Sequence, residues 1–336
     1  MYTLRGNERV LILRLGAMGD VLHALPAVEM LRRSFPDLTI HWLVKPHWMP
    51  LLTGNPHIDQ LIPYRRDSFR RLTELRSSLR SERYDIAIDL QGLIQSAVLA
   101  ILSGAQHRIG YGRHAVRERL ATYMYQTQVE PVARHIAERH MEVVEALGAK
   151  RSQVECWLPE GEEEGSLPDG PFVLACPFAG WTSKQWPLEY YEELAAMLKQ
   201  EWGMPLILNI MEKEKPRVDS LRGVLAHCSS IRGLIHITRK ATAVVGLDSG
   251  PLHLAAALDR PGVALFGPTD PMRNGPYPHR PSRLRVLRVP DAPTSYGREP
   301  EITSSMRALA PGMVFEALRE VLHPTDERRS AQKGNL

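Results

Sequence analysis

Short runs of Val, Ile and Leu alternate along the chain with longer stretches whose apolar residues recur every three to four positions, the pattern of β-α units around a buried parallel sheet. In the first half the runs predict strands over 9–14, 39–44, 59–63, 84–89 and 107–110, and the stretches predict helices over 20–33, 67–82, 93–103, 114–126 and 134–148. The alternation breaks at 159–171, P-E-G-E-E-E-G-S-L-P-D-G-P, an acidic, Gly- and Pro-rich segment that can bury almost nothing and reads as a linker. A second series follows, with strands predicted over 172–176, 204–209, 243–247 and 262–266 and helices over 187–202, 213–226 and 251–258. Residues 267–310 are irregular and rich in Pro and Arg, Pro311 opens a last amphipathic helix to Leu322, and 323–336 form a polar tail. The expectation is an α/β protein of two doubly wound domains, 1–158 and 172–310.

Composition supports this division: 336 residues, 43% of them hydrophobic, suffice for two cores of ordinary size. Net charge is only +4, but of 42 basic residues 34 are arginine, whose planar fork grips phosphates and carboxylates bidentately. Cys156, Cys176 and Cys228 are widely spaced and odd in number, which indicates neither a disulfide framework nor a zinc site and fits a reducing cytoplasm. No apolar run approaches the ~20 residues that cross a bilayer, and the run at Val10 is too short for a signal-peptide core. Any meeting with a membrane is expected from its surface.

Ligands of open α/β sheets collect at the carboxyl ends of strands, so the loops there are the candidates for chemistry. The first, Leu15-Gly16-Ala17-Met18-Gly19-Asp20, lacks the G-x-G-x-x-G of dinucleotide enzymes; Gly16 and Gly19 let the backbone turn and admit a ligand. Asp20 at the helix entrance is either a plain cap or a carboxylate able to take a proton from an attacking hydroxyl, and His23 one turn on reads as a packed side chain. The second loop holds Thr182, Ser183 and Lys184 between two tryptophans, ahead of a helix opened by Pro187, where an anion is favoured. The third, Asp248-Ser249-Gly250-Pro251-Leu252-His253, is either a capping sequence or a diphosphate cradle with Asp248 beside it. The fourth, Gly267-Pro268-Thr269-Asp270-Pro271, reads as a rigid turn shaping a wall.

Arginines crowd two places, Arg65, Arg66, Arg70, Arg71, Arg76, Arg80 and Arg83 in one loop and helix, and Arg108, Arg113, Arg117 and Arg119 in another. They read as a basic patch for an anionic acceptor. Nucleic acid is the competing anion, but no aromatic platform or recognised binding module accompanies the charge.

Taken in order, five segments resemble glycosyltransferase family 9, the lipopolysaccharide heptosyltransferases: L-G-A-M-G-D-V-L-H-A-L-P-A at 15–27, Y-D-I-A-I-D-L-Q-G-L-I-Q-S at 84–96, S-K-Q-W-P at 183–187, D-S-G-P-L-H-L-A-A-A at 248–257 and F-G-P-T-D-P at 266–271. M-G-D-V-L-H and G-P-T-D-P look more like heptosyltransferase I than II. The resemblance implies a GT-B fold, two Rossmann-like doubly wound domains facing a central cleft, with the last helix, 311–322, packing back on the first domain. It implies Asp20 as general base, Lys184 on the donor phosphate, Asp248 positioning the donor sugar, Ser249, Gly250 and His253 lining the diphosphate site, and Arg117 holding the acceptor. The implied donor is ADP-heptose, a co-substrate with no further cofactor or metal. The implied acceptor is the Kdo region of a lipid A precursor, an anionic glycolipid at the inner membrane face, to which Gly19, Arg65 and Arg66 are assigned beside Arg117. Two departures lie near the nucleotide: Ile210 to Glu214 lacks the usual glycines, leaving Glu214 as the ribose candidate, and Leu234–Thr242 is less apolar than expected.

The reaction expected is an inverting, metal-independent transfer in one displacement. A sugar-nucleotide epimerase or hydrolase of the same fold, or a non-catalytic sugar-nucleotide-binding protein, are the other readings.

Overall fold

Val10, Leu11, Ile12 and Leu13 have no polar face to offer water, and the strand they form, β1 (Arg9–Leu13), buries all four side chains completely. The same logic builds the whole chain, a computed structural model of which describes residues 2–65, 68–277 and 283–323. It divides into two units, Met1–Pro159 and Glu160–Leu336.

In the first unit β1, α1 (Met18–Ser34), β2 (Thr39–Val44), β3 (Gln60–Pro63), α2 (Phe69–Ser81), β4 (Ile86–Asp89), α3 (Ile94–Leu102), β5 (His107–Tyr111), β6 (Thr127–Val129) and α4 (Ile136–Glu145) follow one another. The sheet runs β3-β2-β1-β4-β5-β6 with every pairing parallel. Chain direction across it reverses between β1 and β4, so right-handed crossovers place α1 on one face and α2 and α3 on the other, while α4, which follows the last strand, packs against α1. Leu72, Leu75 and Leu79 of α2 meet Leu99, Ala100 and Leu102 of α3 over β1 and β4.

The second unit contains β7 (Val173–Ala175), α5 (Leu188–Trp202), β8 (Leu206–Ile210), α6 (Lys215–Val218), β9 (Val224–Cys228), α7 (Ile231–Lys240), β10 (Ala243–Leu247), α8 (Gly250–Ala257), β11 (Gly262–Phe266), α9 (Pro271–Asn274), β12 (Leu284–Arg288), α10 (Ser304–Arg307) and α11 (Pro311–Leu322). Its parallel sheet runs β12-β11-β10-β7-β8-β9.

Five expectations are corrected. Residues 114–126 form no α-helix: Glu118 N donates to Gly92 O, a tertiary bond in place of an intrahelical one, and only a 3-10 helix, Arg119–Met124, follows before β6. The helix expected over 213–226 stops at Val218, and Val224–Cys228 pairs with β8 instead. Of the segment at Leu234–Thr242, all but the last two residues belong to α7, whose Ser230 cap and buried Leu234, Ile235 and Ile237 supply the missing apolar stripe. The linker is tied to the second unit through Glu162–Arg232 and Glu164–Ser230 contacts. Helix α11, expected on the first domain, has its apolar stripe engaged within the second unit, where Val314, Phe315 and Leu318 share the core of α5 and β11 and Phe315 stacks on Trp202 at 4.7 Å.

Candidate functional site

All strands of each sheet being parallel, every loop singled out above leaves its sheet at the carboxyl end. In the first unit Gly16 turns the chain out of β1 at φ +143°, and a Cβ there would drive into the indole of Trp48. The helix that follows is capped by Ala17, with Met18, Gly19 and Asp20 as its first turn. Asp20 is therefore not the cap residue: its Oδ2 accepts from Ala17 N at 3.0 Å, while Oδ1 pairs with the guanidinium of Arg14 at 2.6 Å. Arg14 is buried, its side chain 7% exposed, and also donates to Leu90 O at 2.7 Å, whereas the Asp20 side chain keeps 38% of its surface open.

The adjacent β4 end is organised by Asp89, fully buried and accepting from Gln91 N, Gly92 N and the Tyr125 hydroxyl, the last at 2.6 Å. Burial pushes its carboxyl up and these hydrogen bonds oppose the rise. Gln91 Oε1 in turn accepts from Leu15 N, so the loops after β1 and β4 are locked together. Next to them the Tyr111 hydroxyl meets His140 Nδ1, with burial holding His140 well below its ordinary range and therefore neutral.

In the second unit three neighbouring strand ends converge on one carboxylate. Asp248, leaving β10 with its side chain 4% exposed, accepts at Oδ2 from Lys184 Nζ (2.6 Å), carried by the loop after β7, and from Thr269 Oγ1 (2.6 Å), carried by the loop after β11. His253 Nε2 stands 3.7 Å from Oδ1, beyond hydrogen-bond length. Burial pushes the Asp248 carboxyl up, but His253 and Lys184 outweigh it and bring it down to about 2. Lys184 also lies 4.2 Å over the ring of Trp181. Ser249 caps α8 with Gly250 and Pro251 in the first turn, and the Oγ atoms of Ser183 and Ser249 are buried without a hydrogen-bond partner among the described residues.

Lys184, Asp248, Ser249, Gly250 and His253 thus gather at one sheet end, with Ser183 buried and Thr182 exposed in the same 3-10 turn as Lys184. Glu214 folds back onto Met211 N at 3.0 Å and faces Cys176 at the end of β7, while Glu212 faces Cys228 on the sheet's edge. In the first unit Gly19, Arg65 and Arg117 follow strands of one sheet, with Arg65 and Arg117 exposed; Arg66 lies outside the described residues. Arg108 does not join a basic patch, because its guanidinium donates to Met124 O and Ala105 O. Two participants were missed. Arg14 is a charge at the end of an otherwise apolar run, a signal in itself, and Thr269 sat in a loop read as wall, which carries the one-turn helix α9 as well.

A sequence profile described as glycosyltransferase family 9 (heptosyltransferase) matches residues 72–299. Lipopolysaccharide heptosyltransferase 1 of Pseudomonas aeruginosa is 30% identical over 80% of this chain and 81% of its own, and that of Escherichia coli (strain K12) is 29% identical over 80% and 91%. Among solved structures, E. coli heptosyltransferase WaaC with ADP is similar at a TM-score of 0.73 and 26% identity over 93% of this chain and 99% of its own, and the same enzyme is solved with ADP-2-deoxy-2-fluoro heptose. With two parallel six-stranded Rossmann-like units, a profile match across most of its length and relatives of this likeness, the chain is a GT-B glycosyltransferase that uses a nucleotide-sugar donor and belongs to glycosyltransferase family 9.

Proposed function

We propose that this protein transfers a heptose from ADP-heptose to the Kdo region of a lipid A precursor, in building the inner core of lipopolysaccharide. The observation that carries the donor half is the convergence of Lys184, Thr269 and His253 on Asp248 beside the N-terminus of α8. An ammonium has three protons and Asp248 takes one, so Lys184 keeps donors for a phosphate oxygen, and the unsatisfied hydroxyls of Ser183 and Ser249 are ready acceptors or donors for the same group. Asp248, held as a carboxylate, accepts from sugar hydroxyls, and Glu214, on the β7 side of its loop, serves the ribose.

Asp20 takes the acceptor's proton. Its surface is open enough to be reached, and Arg14 fixes the direction of its free lone pairs. In one displacement the acceptor oxygen bonds to the anomeric carbon as the bond to the diphosphate oxygen breaks; the proton passes to Asp20, ADP departs with the electron pair, and configuration inverts. Lys184 and the α8 N-terminus stabilise the charge growing on the leaving group, so these residues alone can support departure without a metal ion. Gly19, Arg65, Arg66 and Arg117 hold the anionic acceptor.

The test is incubation with ADP-heptose and Kdo-lipid A, with product mass read by mass spectrometry and anomeric configuration by NMR. One added heptose of inverted configuration is expected; ADP release without glycolipid product refutes the transferase reading. Asp20→Asn should abolish turnover and leave ADP binding intact, and ordinary activity in that variant removes Asp20 from the mechanism.

A further inference from the structure

Helix α3 turns its two polar side chains inward, Gln95 to the Tyr64 hydroxyl and Ser96 to the Leu93 backbone; Ala97, Leu99 and Ala100 are buried, and every exposed residue of the helix, Ile94, Val98 and Ile101, is aliphatic. A surface helix of a soluble domain presents polar residues outward, so an outer stripe at i, i+4, i+7 without one asks for a covering partner. The stripe continues onto the 3-10 helix Arg119–Met124, which packs against α3 and leaves Leu120 61% and Tyr123 79% exposed. On the other side α2 packs beside α3, and both helices begin at the carboxyl end of the sheet, where Phe69 stands 81% exposed.

The charge around this surface chooses the partner. Helix α2 carries four arginines against one glutamate, Glu74, which pairs with Arg70. Between 112 and 124 three exposed arginines, Arg113, Arg117 and Arg119, stand against Glu118, whose carboxylate is engaged by Ile94 N. An apolar stripe with an aromatic residue at its border and arginines on both flanks matches an anionic lipid bilayer, into whose headgroup region the aliphatic side chains insert while the guanidinium groups meet phosphates. No helix among the described residues is long and apolar enough to cross a membrane, so this contact lies in the plane of the surface.

We infer that the outer face of α3, together with Leu120, Tyr123 and Phe69, is a docking surface for anionic phospholipid membranes. The face belongs to the unit assigned the glycolipid acceptor, but the inference rests on the surface itself and is read without turnover.

The experiment is co-sedimentation of the full chain with vesicles of phosphatidylglycerol and phosphatidylcholine, or of phosphatidylcholine alone. Wild type should bind the anionic vesicles at least tenfold more tightly and lose most of that binding in high salt. The variant Val98→Ser/Ile101→Ser/Leu120→Ser/Tyr123→Ser should weaken binding by tenfold or more, with an unchanged circular dichroism spectrum. Arg113→Gln/Arg119→Gln should lower the preference for anionic lipid and leave the fold intact. Turnover of a water-soluble, delipidated Kdo acceptor should stay within twofold of wild type in the serine variant, which separates docking from the transfer reaction. Absence of wild-type binding to anionic vesicles, equal binding by the serine variant, or a wild-type dimer that the serine variant converts to monomer would each overturn the inference, the last by naming a second copy as the occupant.

Discussion

Replacing Lys184 by methionine should destabilise the second unit before any donor is added. Asp248 is 4% exposed at its side chain, and Lys184, 13% exposed, is the cation that touches it at 2.6 Å. The shift of this carboxyl from its ordinary 3.8 to about 2 corresponds to roughly 2–3 kcal/mol of native-state stabilisation, shared among its partners. Removing one partner of a buried pair costs about 3–5 kcal/mol when nothing else compensates. Thr269 and His253 remain, so about 2–3 kcal/mol is the expected loss, which lowers the melting temperature of a unit this size by roughly 5–10 °C.

The assay is thermal unfolding of Lys184→Met, Asp248→Asn and the double variant, with ADP affinity measured alongside. The double variant removes the uncompensated charge together with its partner and should recover much of the lost stability, although all three bind ADP more weakly. The folded carboxyl lies below its unfolded value, so its contribution is complete above the ordinary 3.8 and disappears as pH falls through about 2. Wild type should therefore show a steeper stability loss across that window than Lys184→Met. Unchanged melting of Lys184→Met, or a double variant no more stable than the single one, would refute the account of Asp248 as a charge held by its cations.

Arg14→Met should lower kcat on the order of a hundredfold with donor KM unchanged, because Asp20 loses the partner that aims it, and Arg14→Lys should restore part of the rate; steady-state kinetics separates the two constants. Glu214→Gln should weaken ADP binding about tenfold and Glu212→Gln should not, as calorimetric titration will show, since Glu214 faces the end of β7 and Glu212 the edge strand. Gly16→Ala should cost about 1–3 kcal/mol in denaturant unfolding and shift the emission of Trp48, because the position combines φ +143° with an indole in the path of a Cβ.

Most of the architecture was legible because buried parallel strands write themselves as unbroken apolar runs: 39–44, 243–247 and 262–266 match β2, β10 and β11 in both bounds. What stayed illegible depended on tertiary partners. Strand β9 has Leu225 48% exposed at the sheet edge, so its run carries no clear period, and Val224–Cys228 is a strand because β8 offers it a ladder. Residues 114–118 lose their helix to a carbonyl 26 residues earlier, Gly92 O, which no local window contains. Helix α11 carries an apolar stripe at the predicted bounds, but a stripe does not say which surface it will cover.

The sites follow the same division, and it bears on what each carboxylate does. Asp20 and Asp248 were both visible as acids at strand ends; Thr269 was not assigned because a hydrogen bond between neighbouring strand ends spans any distance in sequence, here 21 residues, whereas Arg14 lies six residues before Asp20 and its charge ending an apolar run was the overlooked signal. Those partners make the two acids unlike. Asp248 is nearly closed off and meets Lys184, Thr269 and His253 together, an environment that favours permanent charge and a fixed position and so suits a residue that holds a ligand. Asp20 has one side-chain cation and one backbone amide, and 38% of its side chain remains open. A proton acceptor needs that opening, since a hydroxyl has to come within hydrogen-bond reach and a proton has to leave afterwards. Exchanging the environments tests the division: burying Asp20 by enlarging its neighbour, Ala17→Leu, should slow turnover and spare ADP affinity, whereas opening the Asp248 site with Thr269→Ala should weaken ADP affinity first. The opposite order of effects would assign the proton transfer to the wrong acid.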